Sequence, residues 1–243
     1  ANARIFRLKF TEVFPRVISL DGYPVKPFEE DEITLGPAQR SDLIIDLDQN
    51  SSAFTIGLIN HIKPLTIARF LVEPKLDPGI WTVGSDIVVP ERTELPDIDK
   101  GAVTVPIRMQ GGAMGNLREA KLKGQMLPLR ELAMKHRKVW AINGAVGGYD
   151  HFLATIKLGQ LVNLELENDT RWPHAMHLHG HHFWVKSDTN PVKDVSSKRD
   201  TYLVKPGEKA NLIFVADNPG LWLFHCHMLE HHVGGMGAVL KVV

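Results

Sequence analysis

Leu35-Gly36-Pro37-Ala38-Gln39-Arg40-Ser41-Asp42-Leu43-Ile44 is matched, much later in the chain, by Val204-Lys205-Pro206-Gly207-Glu208-Lys209-Ala210-Asn211-Leu212-Ile213. In each copy a β-forming end runs into a Pro/Gly turn and out into an alternating apolar stretch. A second pair points the same way: Ile18-Ser19-Leu20-Asp21-Gly22 parallels Ala141-Ile142-Asn143-Gly144, and Asp-Gly and Asn-Gly are the strongest short hairpin signals. Two copies of one strand-rich unit follow from this repeat.

Working outward, Phe6, Leu8 and Phe10 alternate with Arg7 and Lys9, Val17–Leu20 meets the Asp21-Gly22 turn, and Glu32–Leu35 and Asp42–Leu47 flank Gly36-Pro37. Beyond residue 100, strand-sized apolar stretches recur at Val103–Met109, Val139–Asn143, Leu161–Glu167, Phe183–Val185, Thr201–Val204, Leu212–Val215, Leu221–Phe224 and Ala238–Val243. Short strands punctuated by turns every ten residues or so predict an all-β chain of sandwiches. Leu117–Lys135 is the best helix candidate, interrupted by Gly124 and Pro128. The polar, Pro-containing run from Pro90 to Asp97 predicts a linker at 89–103 between a first unit, 1–88, and a second, 104–243.

The 243 residues are 44% hydrophobic and 23% charged, which excludes a disordered chain. Lys plus Arg and Asp plus Glu each total 28, so no charge excess argues for nucleic acid or an anionic membrane. No apolar run is long enough to span a bilayer. A single cysteine, Cys226, excludes an intrachain disulfide framework. The chain starts Ala1-Asn2-Ala3-Arg4-Ile5, without an initiator Met or a signal-peptide pattern, which is the expectation for a mature or shortened product.

Histidine is the outlier. Nine of the 12 lie between His174 and His232, and Cys226 lies among them. Two segments carry them: His174-Ala175-Met176-His177-Leu178-His179-Gly180-His181, and His225-Cys226-His227-Met228-Leu229-Glu230-His231-His232-Val233-Gly234-Gly235-Met236. Imidazoles, a thiolate and a thioether together suit a soft, redox-active metal, and two His with one Cys and a distant Met is the donor set of blue copper. Zinc has no use for that Met. On a strand, residues i and i+2 share a face, so His177 pairs with His179 and His225 with His227, while Cys226 points the other way. One short strand thereby serves two metal sites joined by a few covalent bonds. His61, alone in the first unit, reads as a surface or satisfied core histidine.

These two segments resemble the C-terminal copper motifs of multicopper oxidases, H-x-x-H-x-H-G-x-x-F at His174–Phe183 and H-C-H-x-x-x-H-x-x-x-x-M at His225–Met236. The resemblance extends more weakly to the rest, with residues 1–88 similar to a copper-free middle cupredoxin domain and 104–243 to the third. It implies two tandem Greek-key cupredoxin β-sandwich domains. By the same resemblance His174, Cys226, His231 and the axial Met236 hold a type 1 copper. His177 is a type 2 ligand, and His179, His225 and His227 are type 3 ligands. Electrons would pass from Cys226 through His225 and His227. His151, His181 and His182 match no ligand position and read as neighbouring or surface residues. His232 stands where many members carry an acid beside the oxygen-reducing cluster, and a histidine also shuttles protons near neutral pH. Glu230 would then cap or solvate a short helix.

The family's cluster needs four further histidines from two His-x-His pairs, and every such pair here lies within the two segments already described, at 177/179, with His181 continuing the alternation, and at 225/227. The resemblance therefore implies a laccase-like oxidase module, periplasmic or secreted, completed by an N-terminal cupredoxin domain that is missing here or sits on a separate chain. Its substrates would be dioxygen and a small phenolic, pyrrolic or metal-ion reductant. The alternatives are a copper-binding electron carrier or copper-tolerance protein without oxidase turnover, and a structural cupredoxin protein. Met109, Met114, Met126 and Met134 are too loosely spaced for a copper relay and read as core or gap-filling residues.

Overall fold

The computed structural model describes residues 2–47, 52–59, 64–73, 90, 94–98, 101–187, 189 and 195–243. The first seven strands are β1 (Phe6–Thr11), β2 (Arg16–Leu20), β3 (Tyr23–Glu29), β4 (Glu32–Leu35), β5 (Ser41–Ile44), β6 (Ala53–Ile59) and β7 (Pro64–Leu71). They form a four-stranded sheet, β4-β1-β6-β7, and a three-stranded one, β3-β2-β5. Phe10, Val13, Val17, Val25, Ile33 and Phe54 make a buried cluster of their own.

The remaining elements are β8 (Val103–Gly111), β9 (Glu119–Leu122), β10 (Gln125–Pro128), α1 (Leu129–His136), β11 (Trp140–Ile142), β12 (Phe152–Ile156) and β13 (Leu161–Asn168). After them come β14 (His174–Leu178), β15 (Trp184–Ser187), β16 (Thr201–Val204), β17 (Lys209–Val215), β18 (Gly220–Cys226), α2 (Leu229–Val233) and β19 (Gly237–Val242). Two five-stranded sheets result, β11-β8-β13-β17-β15 and β12-β19-β18-β14-β16. Period-two burial is plain in β8, where Val105, Ile107 and Met109 are buried and Pro106 and Arg108 exposed. The second core draws on both five-stranded sheets and includes Leu164, Leu166, Met176, Leu178, Phe214, Phe224, Cys226 and Met236. Each such apolar side chain taken fully from water contributes about 1.5–3 kcal/mol.

The repeat has a structural meaning. In the first copy β4 lies in one sheet and β5 in the other; in the second, β16 and β17 are likewise in different sheets. The repeated Pro/Gly turn is thus the place where the chain changes sheets. The Asp21-Gly22 and Asn143-Gly144 turns also correspond, each with two consecutive positive φ values, 52° and 83°, then 50° and 71°. That is the backbone a two-residue hairpin turn requires.

Several expectations are corrected. The helix expected over Leu117–Lys135 is a β9–β10 hairpin followed by α1, only eight residues long. Lys123 and Gly124, with φ of 48° and 84°, make a tight turn inside the stretch expected to be helical, and Pro128 stands at the N-cap of α1. Only Met109 of the four methionines is buried; Met114, Met126 and Met134 are among the exposed apolar residues. Met126 lies on the two-stranded hairpin and Met134 on α1, whose one buried residue is Leu132. Residues 89, 91–93 and 99–100 of the 89–103 segment, and His61, lie outside the described residues.

Candidate metal centre

The centre is built on two neighbouring antiparallel strands, β14 and β18. Their register sets Met176 opposite Cys226, His177 opposite His225 and Leu178 opposite Phe224. Alternation then sorts the side chains. Met176, Leu178, Phe224 and Cys226 turn into the core. His177 and His225 turn to the other face.

On the core side, His174 Nδ1 lies 3.0 Å from His231 Nδ1, and Cys226 Sγ lies 3.6 Å from His231 Nδ1. One ligand atom from each of His174, Cys226 and His231 falls within 4.8 Å of the others. His174 and Cys226 are fully buried, while His231, on the short α2, is partly exposed. Met236 is buried beside them: its carbonyl accepts the Cys226 N–H at 3.1 Å and its N–H donates to the His231 carbonyl at 3.0 Å.

Neighbouring groups fix the histidine's orientation. The single proton of the Thr170 hydroxyl goes to Asn168 Oδ1, 2.7 Å away, so the Thr170 oxygen accepts from His174 Nε2 at 2.8 Å. That places the His174 lone pair on Nδ1, toward His231 and Cys226. Asn168 is itself buried and donates to the carbonyls of Trp172, Val204 and Lys205. Trp140 closes the site, its ring 5.0 Å from that of His174 and 4.4 Å from that of His231. A side chain at Gly112, where φ is +74°, or at Gly234 would run into the indole.

Burial dominates the electrostatics. It lowers the His174 pKa to about 3, with His231 adding to the effect, and pushes the Cys226 thiol up to about 12. A neutral imidazole pair beside a thiol too costly to ionise unaided fits a cation, which deprotonates a coordinating thiol outright.

On the opposite face four imidazoles gather. Ring centroids are 4.9 Å apart for His177–His179, 5.8 Å for His177–His225, 5.6 Å for His177–His227 and 5.5 Å for His225–His227. His179 Nε2 and His225 Nε2 approach to 3.1 Å. His177 Nδ1 donates to the Asp200 carbonyl at 2.8 Å and His225 Nδ1 to the Cys226 carbonyl at 3.0 Å, which leaves both Nε2 atoms as lone-pair donors. Nδ1 of His227 is buried without a hydrogen-bond partner among the described residues. Burial lowers the pKa of His225 to about 3 and lowers those of His179 and His227, which favours the neutral imidazole that a metal ligand must be at these three residues. Among the described residues only His174, Cys226 and His231 form a tight ligand group; the four imidazoles are spread more widely.

The other histidines separate clearly. His232 lies 4.5 Å, ring to ring, from His225. His182 packs on Tyr23 and lies 3.8 Å from Asp200. His181 is buried against Phe214 and Trp222, and His151 is partly buried. Glu230 occupies the exposed first turn of α2, and the helix has no side-chain cap. Sequence reasoning missed Thr170, Asn168, Trp140, Asp200 and Arg40. Asn168 and Thr170, polar residues closing an apolar strand just before His174, were the one local signal available.

A multicopper oxidase family model matches residues 123–243, and a second multicopper oxidase model matches residues 16–73. Multicopper oxidase MmcO of Mycobacterium tuberculosis is 28% identical over 98% of this chain and 44% of its own length. Multicopper oxidase mco of Staphylococcus epidermidis is 27% identical over 100% of this chain and 46% of its own. The chain thus spans about half the length of the curated relatives it matches. A solved multi-copper oxidase from Pseudomonas thermotolerans superposes with a TM-score of 0.75 at 27% identity, covering 100% of this chain and 53% of that one. The fold is the cupredoxin β-sandwich of these neighbours. With histidine and cysteine side chains gathered on both faces of one sheet and two family models on the one sequence, the chain belongs to the multicopper oxidase family.

Proposed function

We propose that this chain is the two-domain portion of a copper-dependent oxidase, a copper-free cupredoxin unit followed by a copper-binding one. Bound copper supplies one-electron redox chemistry, taking electrons from a reducing substrate at one site and delivering them to dioxygen at another. His174, Cys226 and His231, with Met236 beside them, hold the type 1 ion. His177 serves the type 2 ion, and His179, His225 and His227 serve the type 3 pair. One observation carries this reading: Cys226 and its neighbours His225 and His227 are consecutive in sequence yet belong to opposite sides of the β14–β18 ladder. The bonds from Cys226 to His225 and His227 then form the electron path between the sites.

The protein's own part is to orient and to seal. Thr170 sets the His174 ring, Trp140 shields it from water, and the buried His225 stays unprotonated at neutral pH. His232, beside His225, is placed to carry protons. With no His-x-His pair outside the 174–182 and 225–232 segments, the remaining cluster ligands come from an N-terminal cupredoxin domain outside the chain. The partner molecules are dioxygen and a small phenolic, pyrrolic or metal-ion reductant. Among the described residues no helix is long and apolar enough to cross a membrane. It is from the resemblance to multicopper oxidases that we place the protein in the periplasm or outside the cell.

The test is copper stoichiometry and oxygen consumption on this chain, alone and with a supplied N-terminal domain. Intense blue colour without turnover alone, and oxygen uptake once completed, are expected. Blue colour that never yields oxygen uptake would establish an electron carrier instead. A colourless protein would leave a structural role. Four tightly held coppers and full activity in the isolated monomer would refute the assignment of the missing ligands.

A further inference from the structure

His177 is held from a distance by the half of the chain that carries no copper ligand. It pairs in register with Thr201 on the edge strand β16. Its Nδ1 donates to the Asp200 carbonyl at 2.8 Å and lies 3.0 Å from Thr201 Oγ1. A carbonyl only accepts, so this contact fixes the proton on Nδ1 and the lone pair on Nε2. Everything that places the Asp200 carbonyl therefore places the His177 ligand atom.

What places it comes from the first unit. Arg40 grips the Asp200 carboxylate with both arms of its fork, at 3.0 and 2.9 Å. The same guanidinium donates to the carbonyls of Ala38 and Asp21 at 2.9 and 2.8 Å. Asp21 is buried at the positive-φ turn after β2. Its Oδ2 accepts the main-chain N–H groups of Asp200 and Thr201 at 3.3 and 3.2 Å, and its Oδ1 accepts the Arg40 N–H at 2.9 Å. Thr201 Oγ1 closes the ring by donating to Asp200 Oδ1 at 2.7 Å. The Asp200–Thr201 peptide is thereby clamped at both its amides and at its neighbouring side chain by two residues more than 150 positions upstream.

We propose that Arg40 and Asp21 are positioning residues for the second metal cluster, setting the tautomer and aim of His177 through the Asp200–Thr201 backbone. The proposal rests on the reading that His177 ligates copper. Partners that orient a metal-bound histidine typically alter affinity 10–100-fold when removed. A lysine at position 40 would restore the charge but not the planar two-armed grip. An ordinary contact between units would hold the sheets together without governing which nitrogen of one imidazole carries a proton.

The experiment is long-range 1H–15N correlation on the metal-free, 15N-histidine-labelled 243-residue chain, followed by copper(II) titration read by electron paramagnetic resonance. The wild-type chain is expected to show His177 protonated at Nδ1. In Arg40→Gln and Asp21→Asn the two ring shifts should converge as the tautomers mix, and copper affinity at the imidazole cluster should fall about 10-fold or more. The His174 tautomer, held by Thr170, should not change, and the Cys226–copper absorption should persist and certify the fold. Arg40→Lys serves if either variant fails to fold, and it should show the same mixing. An unchanged His177 tautomer in the folded variants overturns the proposal, as does a loss of affinity without a tautomer change. His177→Ala tests the underlying reading separately: copper uptake by the cluster that is indifferent to this change would refute the ligand assignment, while the tautomer result still judges the clamp.

Discussion

The Thr170 hydroxyl lies 2.8 Å from His174 Nε2, and this contact decides which nitrogen of the imidazole faces Cys226. Thr170→Val keeps the shape and removes the acceptor. Copper affinity at the His174–Cys226–His231 group should fall about 10–100-fold. The metal-free chain should lose about 1 kcal/mol from the broken hydrogen bond. A competition titration against a chelator of known affinity measures the first, and urea unfolding the second. Unaltered affinity would show that packing against Trp140, not the hydroxyl, holds the ring.

Cys226→Ser should abolish the intense visible absorption altogether, because the thiolate is its source. In the metal-free chain the new hydroxyl sits in the apolar core and should cost about 1–3 kcal/mol unless it finds a partner. Absorption spectra of the copper-loaded variant and its unfolding midpoint check both parts.

Met236→Leu should keep the colour and raise the reduction potential, since a weak donor that stabilises the oxidised ion is gone. The swap is close to volume-conserving and should cost less than about 1.5 kcal/mol. A potentiometric titration showing a lowered potential would remove Met236 from the ligand set.

Acid should weaken the metal-free fold before it reaches the carboxylate range. His174 and His225 ordinarily titrate near 6.5, and burial lowers both to about 3 in the folded chain. Between those values the unfolded chain binds more protons, so stability is intact above about pH 6.5 and falls as pH drops, by up to about 1.4 kcal/mol per pH unit for each residue. Cys226 acts on the alkaline side. Its folded pKa is raised from 9.0 to about 12, so its contribution is complete below pH 9 and is lost as pH rises beyond it. Urea unfolding at pH 5, 6, 7 and 10 should trace a maximum near neutrality. A flat profile from pH 7 to 5 would exclude the buried neutral imidazoles.

The sandwich architecture and the facing of the histidines were legible because both depend on local rules. Asp21-Gly22 and Asn143-Gly144 announce turns by themselves, and the i, i+2 spacing of His177 with His179 needs only strand geometry to be read. The β9–β10 hairpin was hidden because Leu117–Lys135 has helix-like apolar spacing, and the positive φ at Lys123 is set by the strands that it joins. Arg40 was recognised only as part of a repeat. Its grip on Asp200 joins residues 160 apart, and no window of sequence contains both. Met114, Met126 and Met134 were misplaced for a related reason: hydropathy records what a side chain prefers, not whether a second layer covers its strand or helix.

Trp140 has a use that its shielding role does not exhaust. Its indole rests against both His174 and His231, close enough for an open-shell ion between them to drain its excited state. The emission of this tryptophan is therefore an internal gauge of site occupancy, bright when the ligands are bare and dark when they are filled. Loading, exchange and loss of the ion can then be followed in time without a dye or a substrate, including in variants whose catalytic turnover has been lost.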